Sequence, residues 1–329
     1  MSPDEADPGG LTNSATERID RLIESAGSIP LGLYMAYANE HYYATRDPLG
    51  ASGDFITAPE ISQMFGELIG LWCADILLRS AHEAPVLVEL GPGRGTLAAD
   101  CHRVMARFGQ SLPVHLVETS PVLRDLQAAA VPDATFHDGI HSLPDDRPLL
   151  VIANEFFDAL PVRQFERSPV GWRERMVVGR QGRYRLVLGQ EDAAMQVHIT
   201  MRGQPVGSVI EASPASEALL TELARRMATQ GGAMLVIDYG HLKSGPGETL
   251  QAVSRHGYAD PFVAPGERDL TAHVDFATLG RISASRGLVV HGPTTQGQFL
   301  ERLGIGVRLD TLVRARPDQA EALFGQRDR

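Results

Sequence analysis

Hydrophobic positions along the chain follow two different periods. Helical spacing dominates between residues 15 and 40, where Gly27 and Pro30 separate two predicted helices, and again over residues 61–78. Beyond residue 85, short apolar runs alternate with helical segments. The runs predict strands at 86–90, 114–118, 134–137, 149–153 and 234–238, and the segments predict helices at 97–108, 121–129 and 216–230.

The alternation of strands and helices predicts a mostly parallel sheet with helices on both faces. Runs such as LLVIA (149–153) are apolar throughout, as expected of strands buried on two sides. Between residues 161 and 213, apolar and polar residues alternate and turn residues separate the runs, which predicts an antiparallel insertion. The tail predicts a helix near 275–286 and a strand at 288–292, LVVHG.

Composition and charge narrow the class of function. The 329 residues are 43% hydrophobic and 22% charged, an ordinary globular composition, and no run reaches the length of a membrane span. A net charge of −11 argues against general binding to nucleic acid or anionic membranes, which requires a basic surface. Cys73, Cys101 and the histidines show no metal-ligand spacing, and the acidic N-terminus does not resemble a presequence. We therefore expect no bound metal and a cytoplasmic, bacterial-type location.

A glycine loop follows the first strand of the predicted sheet. Its sequence, ELGPGRGT, places Gly91, Gly93 and Gly95 at alternate positions after Glu89. Ligands of open α/β sheets bind at the carboxyl ends of the strands, where this loop lies. The dinucleotide fingerprint requires its third glycine one position later, where this chain has Thr96. Taken alone, the loop indicates either a ligand site or a structural turn.

Acidic residues stand at the other strand ends. Glu118 ends the second strand, where a carboxylate suits the hydroxyls of a ribose. Asp138 and Gly139 follow the third strand, and Glu155 and Asp158 follow the fourth. Pyrophosphate fits poorly among so many carboxylates, whereas a ligand with a ribose, an adenine and a positive charge fits well. S-adenosylmethionine (SAM) has all three features and no phosphate, so the strand ends favour SAM.

Longer stretches of the chain resemble a known family. The glycine loop resembles the first motif of class I SAM-dependent methyltransferases. Together with GDFITAPEISQMFGELIGLW (53–72), NEFFDALPVRQF (154–165), LTAHVDF (270–276) and the tail TTQGQFLERLGI, it resembles the MidA-like methyltransferases. That family includes a mitochondrial complex I assembly factor that methylates a protein arginine. The insertion and the tail are short for the family, which leaves the substrate open.

The resemblance implies an α/β, Rossmann-like class I methyltransferase fold with additional parts. We expect an N-terminal helical cap and lid loop at 14–80, a SAM-binding core at 81–160, the antiparallel insertion at 161–213 as a substrate or dimer region, and the completion of the core with substrate-side elements at 214–315.

Ten residues are candidates for binding SAM. They are Thr57, Glu89, Gly91, Gly93, Gly95, Glu118, Thr119, Asp138, Gly139 and Asn154. Glu89 would attract the ammonium group, Glu118 would hold the ribose, and Asp138 would meet the adenine amino group. The structural alternatives are a cap for Glu89 and a turn for Asp138. Residues 53–59 either fold over SAM as a lid, with Thr57 in contact, or only begin the next helix.

The resemblance implies a reacting side after the fourth strand, and the candidate catalytic residues are Glu155, Asp158 and His273. Glu155 and Asp158 would orient a guanidinium, because its planar fork of donors suits bidentate carboxylates. Otherwise they are acids that stabilise a helix N-terminus. His273 would help to bind or deprotonate the acceptor, or is structural.

Several functions stay open at this point. The first is SAM-dependent methylation of a protein arginine in a complex I assembly role, with a complex I subunit as partner. The alternatives are methylation of a small metabolite and a SAM-binding assembly chaperone without turnover. A nucleotide-dependent oxidoreductase is least favoured, because it would need a glycine at position 96 and a phosphate-binding cluster. The apolar face of 61–78 also leaves a homodimer open.

Overall fold

The computed structural model describes residues 14–47, 57–80, 84–191, 203–254 and 257–328. The helices are α1 (Ala15–Ala26), α2 (Leu31–Thr45), α3 (Ala58–Ile61), α4 (Gln63–Arg79), α5 (Thr96–Arg107), α6 (Pro121–Ala130), α7 (Pro214–Gln230), α8 (Phe276–Ser285), α9 (Gln296–Leu303), α10 (Ile305–Ala315) and α11 (Ala320–Asp328). None of the described helices combines the length and the apolar character that crossing a membrane requires.

The strands belong to two larger and two smaller sheets. They are β1 (Ile29–Pro30), β2 (Val86–Leu90), β3 (Val114–Val117), β4 (Thr135–His137), β5 (Leu149–Asn154), β6 (Arg163–Arg167), β7 (Trp172–Arg180), β8 (Arg183–Glu191), β9 (Val209–Ala212), β10 (Gly232–Ile237), β11 (Gly240–His241), β12 (Gln251–Ser254), β13 (Gly257–Ala259), β14 (Asp269–Thr271) and β15 (Val274–Asp275).

The chain divides into two compact units. The first contains Met1–Tyr43, Pro161–Pro214 and Gly245–Ala272, and the second contains Ala44–Leu160, Ala215–Ser244 and His273–Arg329.

The second unit is built on a parallel sheet with the strand order β10-β5-β2-β3-β4. Strands β2 and β5 are buried along their whole length, because α4 and α5 contribute to a core on one face and α7 and α8 to a core on the other. Strand order reverses between β2 and β5, which is where ligands bind in sheets of this kind. The predicted α/β, Rossmann-like class is therefore confirmed.

Helix α4 lies unusually close to α5. A Cβ atom at Gly70 would stand 2.9 Å from the Cα of Cys101, so only glycine allows this approach. Most apolar side chains of α4, including Phe65 and Ile69, fill the core between the helix and the sheet. The apolar face that left a homodimer open is largely used within the chain.

The first unit contains the predicted antiparallel insertion. Its main sheet has the order β1-β7-β6-β9, with β8 also paired to β7, and a smaller sheet has the order β13-β12-β14. Helices α1 and α2 pack on this unit through a core that includes Ile19, Tyr34 and Val177. Strands β6 to β9 are joined to β1 by antiparallel pairing of Ile29 with Val177.

The predicted strand at 288–292 does not form. Leu288 packs against the core, but Val289 and Val290 are 79% and 47% exposed. An apolar run becomes a strand only where another strand supplies hydrogen bonds, and Pro293 lacks the N–H that would continue a ladder. Helix α4 also begins two residues later than predicted, because the Ser62 hydroxyl accepts a hydrogen bond from the Met64 N–H and caps it.

Candidate functional site

The glycine loop joins β2 to α5 at the point where strand order reverses. Gly91, Gly93 and Gly95 have φ values of 58°, 55° and 82°, in the left-handed region that favours glycine. A Cβ at Gly91 would lie 2.8 Å from Cδ2 of Phe156, and one at Gly95 would lie 3.3 Å from the Cα of Gln127. Gly95 thus brings the loop against α6, while Gly91 makes room for an aromatic ring beside the loop.

Glu89 carries a deeply buried carboxylate beneath this loop. Its side chain is 3% exposed, and burial raises its pKa to about 8, against a smaller opposing effect of the Ala98 N–H. Among the described residues, Oε2 of Glu89 has no hydrogen-bond partner. Such an oxygen is costly unless a partner reaches it, so the arrangement suits a cationic or hydrogen-bond-donating ligand.

Glu118 is held in place at the end of β3 by hydrogen bonds on both of its oxygens. Oε1 accepts the N–H groups of Thr119 and Ser120, each at 2.8 Å, and Oε2 accepts Nε2 of Gln127 at 3.2 Å. Burial raises the pKa of Glu118, and these donors oppose the shift. Gln127 also donates to the Gly93 carbonyl at 2.7 Å, so it connects the acid to the glycine loop. The Thr119 side chain is exposed.

Asp138 lies further out, at the end of β4. Its side chain is 80% exposed and pairs with Nη2 of Arg124 at 2.7 Å. Arg124 also donates to the Glu118 carbonyl, so the two strand ends are connected. Gly139 has an extended backbone, with φ of −179°, and a Cβ there would lie 3.0 Å from Nδ1 of His141. Close approach, and not a positive φ, therefore limits the residue at this position.

The loop after β5 carries the predicted reacting side. Asn154 is buried, and its Oδ1 has no hydrogen-bond partner among the described residues. Glu155 has φ of 48°, a left-handed conformation that is uncommon for a residue other than glycine. The pKa of Tyr239 is raised first by the negative charge of Glu155, then by burial and by Asp158. Both carboxylates therefore lie close enough to the Tyr239 hydroxyl to disfavour its ionisation.

His273 lies immediately before the short strand β15, which pairs in parallel with β11. Its side chain is exposed. Strand β11 begins at Gly240, the residue after Tyr239. The Val274 N–H donates a hydrogen bond to the Tyr239 carbonyl at 2.8 Å. Backbone pairing therefore brings the His273 segment to the end of β10.

Thr57 occupies the N-cap position of α3, with no hydrogen bond from its side chain to the helix. Its carbonyl accepts the N–H groups of Glu60 and Ile61. Residues 53–56 of the predicted lid lie outside the described residues.

Sequence reasoning missed how the basic residue of the loop is used. Arg94 pairs with Asp47 at 2.7 Å and with Glu60 at 3.7 Å, and the Thr96 hydroxyl also donates to Glu60. A guanidinium already engaged by carboxylates is poorly suited to a phosphate. Among the described residues, no group of histidine, cysteine and acidic side chains could hold a metal ion.

The donors and acceptors at the strand ends fit SAM. Buried acceptor oxygens of Glu89 and Asn154 suit an ammonium group or hydroxyls, and the left-handed φ values of Gly91, Gly93 and Gly95 hold the loop in its turn beside them. Residues 68–294 match the family described as "Putative S-adenosyl-L-methionine-dependent methyltransferase". The chain belongs to this family of methyltransferases. It is therefore a SAM-dependent methyltransferase.

Curated relatives are similar to this chain over most of their length. The chain is 35% identical to the mitochondrial protein arginine methyltransferase NDUFAF7 of Mus musculus, over 96% of this chain and 81% of the relative. It is 34% identical to the Drosophila melanogaster homolog, over 94% and 79%. These relatives are mitochondrial proteins, which contradicts the expected cytoplasmic, bacterial-type location.

A solved structure shows the same fold with a SAM product. A "likely methyl transferase" from Burkholderia thailandensis, crystallised with S-adenosyl-homocysteine, superposes with a TM-score of 0.82 at 26% identity. The match covers 99% of this chain and 89% of that one. This neighbour supports SAM as the cofactor of this methyltransferase.

Proposed function

We propose that this methyltransferase transfers its methyl group to an arginine of a protein substrate. The observation that supports the acceptor most directly is the pair of carboxylates, Glu155 and Asp158, in the loop after β5. A guanidinium offers two parallel N–H donors, which a carboxylate accepts together. The names of the mouse and fly relatives support the same acceptor, and a subunit of respiratory complex I is our first candidate for the protein.

Bound SAM supplies an electrophilic methyl group on a sulfonium. Glu89 and Asn154 would hold its amino-acid portion, since their buried oxygens lack partners among the described residues. Glu118, kept in place by Gln127, would accept the ribose hydroxyls, and Asp138 with Gly139 would lie at the adenine. Thr57 and Thr119 would contact the cofactor from the adjoining loops.

The protein's own part in the reaction is to align the acceptor and receive a proton. Glu155 and Asp158 would fix the guanidinium plane so that one nitrogen faces the methyl group. Such alignment contributes on the order of 7–11 kcal/mol at best. A guanidinium must lose a proton during transfer, and His273 or one of the two carboxylates would accept it.

The cofactor site is tested by calorimetric titration of SAM into the wild type and into Gly93→Val and Glu118→Ala. Both variants should bind SAM at least tenfold more weakly. Gly93→Val places a side chain at a left-handed φ of 55°, and Glu118→Ala removes the proposed acceptor of the ribose hydroxyls. Asp260→Asn is the control, because Asp260 lies in the first unit, where its Oδ1 accepts the N–H of Phe262 in a turn. Undiminished binding in both variants would remove this site from consideration.

The acceptor is tested by release of S-adenosyl-homocysteine with peptides that contain arginine, lysine or neither. We expect turnover only with the peptides that contain arginine. Mass spectrometry of cells with and without the protein then identifies the product. A methylated metabolite as the product would instead indicate an enzyme that acts on a small molecule. SAM binding without any turnover would indicate an assembly chaperone.

A further inference from the structure

Asp238, the residue that follows β10, holds the backbone of the loop after β5. Its Oδ2 accepts hydrogen bonds from the N–H groups of Phe156 at 3.2 Å, Phe157 at 2.9 Å and Asp158 at 3.3 Å. Its Oδ1 accepts the N–H of Tyr239 at 2.8 Å. One carboxylate therefore satisfies four backbone donors from two strand ends.

The same loop contains a residue that needs external support. Glu155 adopts a left-handed φ of 48°, and its own N–H donates to the Ile237 carbonyl at 2.8 Å. A non-glycine residue stays in that conformation only when its surroundings hold it there. On its carboxyl side, Asp238 accepts the N–H groups of the next three residues.

We propose that Asp238 is a positioning residue for methyl transfer, which fixes Glu155 and Asp158 in the geometry that orients the acceptor. This inference rests on the proposed function, because it gives these two carboxylates their role. In this proposal Asp238 acts through Glu155 and Asp158 and does not touch the cofactor or the methyl acceptor itself.

The electrostatics of the site support a functional role for this carboxylate. Burial raises the pKa of Asp238 to about 6, against the opposing effect of the backbone donors around it. The acids Glu155 and Asp158 and the hydroxyl of Tyr239 lie in the same region. Keeping an acid in this buried position is unfavourable, and such local conflicts are typical of functional sites.

The test compares Asp238→Asn with Glu155→Gln, Asp158→Asn and the double variant Asp238→Asn/Glu155→Gln. Release of S-adenosyl-homocysteine is measured with an arginine-containing peptide pool, and SAM affinity by calorimetry. In Asp238→Asn we expect kcat to fall at least tenfold while the Kd for SAM changes less than threefold. The double variant should be little worse than the worse single one, because both changes remove one arrangement.

Amide hydrogen exchange provides a measurement that does not require the methyl-accepting substrate. The amides of residues 156–158 should exchange at least tenfold faster in Asp238→Asn than in the wild type. The control is Asp260→Asn, which should change neither exchange in this loop nor kcat. Urea midpoints show whether each variant folds, and Asp238→Ser, which keeps one acceptor oxygen, is the second variant if the first unfolds.

The outcomes separate the two proposals. Unchanged exchange, or a kcat within twofold of the wild type while Glu155→Gln and Asp158→Asn lose activity, overturns the role of Asp238. Full activity in Glu155→Gln and Asp158→Asn, or no turnover of arginine peptides, overturns the proposed function instead. In that case faster exchange in Asp238→Asn still shows that Asp238 fixes the loop, but its assigned role in transfer is wrong.

Discussion

Gln127 donates one hydrogen bond to Oε2 of Glu118 and another to the Gly93 carbonyl. A single amide on α6 therefore connects the acid at the end of β3 to the glycine loop after β2. The amide is completely buried, so neither bond competes with bulk water. If Glu118 binds the ribose, Gln127 determines where that carboxylate lies relative to the loop.

Replacing Gln127 with leucine should weaken SAM binding ten- to a hundredfold. The change removes a donor to a carboxylate, which is worth about 1.5–3 kcal/mol, and frees Glu118 to move. Calorimetric titration of SAM measures the effect.

Gln230→Leu is the control, because Gln230 also donates two hydrogen bonds from Nε2, in this case to the carbonyls of Pro144 and Arg147. That variant should lose stability but keep the wild-type Kd for SAM. Equal losses of affinity in the two variants would show that Gln127 has only a structural role.

Glu89→Gln should make the ligand-free protein more stable and its SAM complex weaker. The folded-state pKa of Glu89 is raised from 4.5 to about 8, so the folded protein binds more protons than the unfolded chain between these pH values. Stability contributed by Glu89 is therefore largest at low pH and falls as pH rises from about 4.5 towards 8. At pH 7 the neutral amide should add about 1–2 kcal/mol to the free energy of unfolding, after allowance for its own buried amide.

Urea unfolding at pH 5 and pH 8 measures this difference, and the gain in Glu89→Gln should be confined to the higher pH. SAM affinity should fall at least tenfold, since the ammonium group loses a charged partner. Binding of SAM to the wild type should also release a proton, which calorimetry in two buffers of different ionisation enthalpy detects. A variant that is less stable at pH 8 and binds SAM normally would contradict the prediction.

Much of the fold could be predicted from the sequence, because burial leaves a local pattern. Strands β2 and β5 are apolar on both sides and were predicted almost to the residue. The strand at 288–292 was predicted wrongly, since an apolar run carries no information about whether a hydrogen-bonding partner exists.

The strand ends of the candidate site could also be located from the sequence, but the contacts that organise them could not. Asp238 and Phe157 lie 81 residues apart along the chain, and Gln127 and Gly93 lie 34 apart. Neither pair belongs to a local motif, so only the folded sheet brings its members together.

Gly91→Ala should cost more than the same change at another glycine with a positive φ. Any side chain at Gly91 is strained by its φ of 58°, and its Cβ would also meet the Phe156 ring at 2.8 Å. We expect a loss of about 2–3 kcal/mol in the free energy of unfolding and at least a tenfold loss of SAM affinity.

Gly109→Ala provides the comparison for Gly91→Ala. Gly109 has φ of 73°, and nothing lies within 4 Å of its added Cβ. Only the backbone strain remains, about 1–2 kcal/mol, and SAM affinity should not change. Urea unfolding and calorimetry measure both variants, and equal effects of the two would show that the Phe156 contact is unimportant.

Arg308→Met should destabilise the second unit by leaving a buried carboxylate with a poorer partner. Arg308 on α10 donates to Oε2 and Oε1 of Glu67 on α4 at 2.7 and 3.0 Å, and the Glu67 side chain is only 8% exposed. Arg103 lies 3.9 Å from the same carboxylate and compensates in part. Because Arg308 is itself partly exposed, we expect a loss of about 2 kcal/mol, below the 3–5 typical of a fully buried pair.

The double variant Arg308→Met/Glu67→Met decides whether the charge or the packing is responsible. Apolar residues of similar volume often replace a buried ion pair at little cost, so the double variant should recover most of the lost stability in urea unfolding. Arg225→Met, which breaks the exposed pair with Glu222 on one face of α7, should leave the urea midpoint unchanged. If the free energy of unfolding of Arg308→Met stayed within about 0.5 kcal/mol of the wild type, as expected for an exposed ion pair, then residues outside α10 would be sufficient partners for the Glu67 carboxylate.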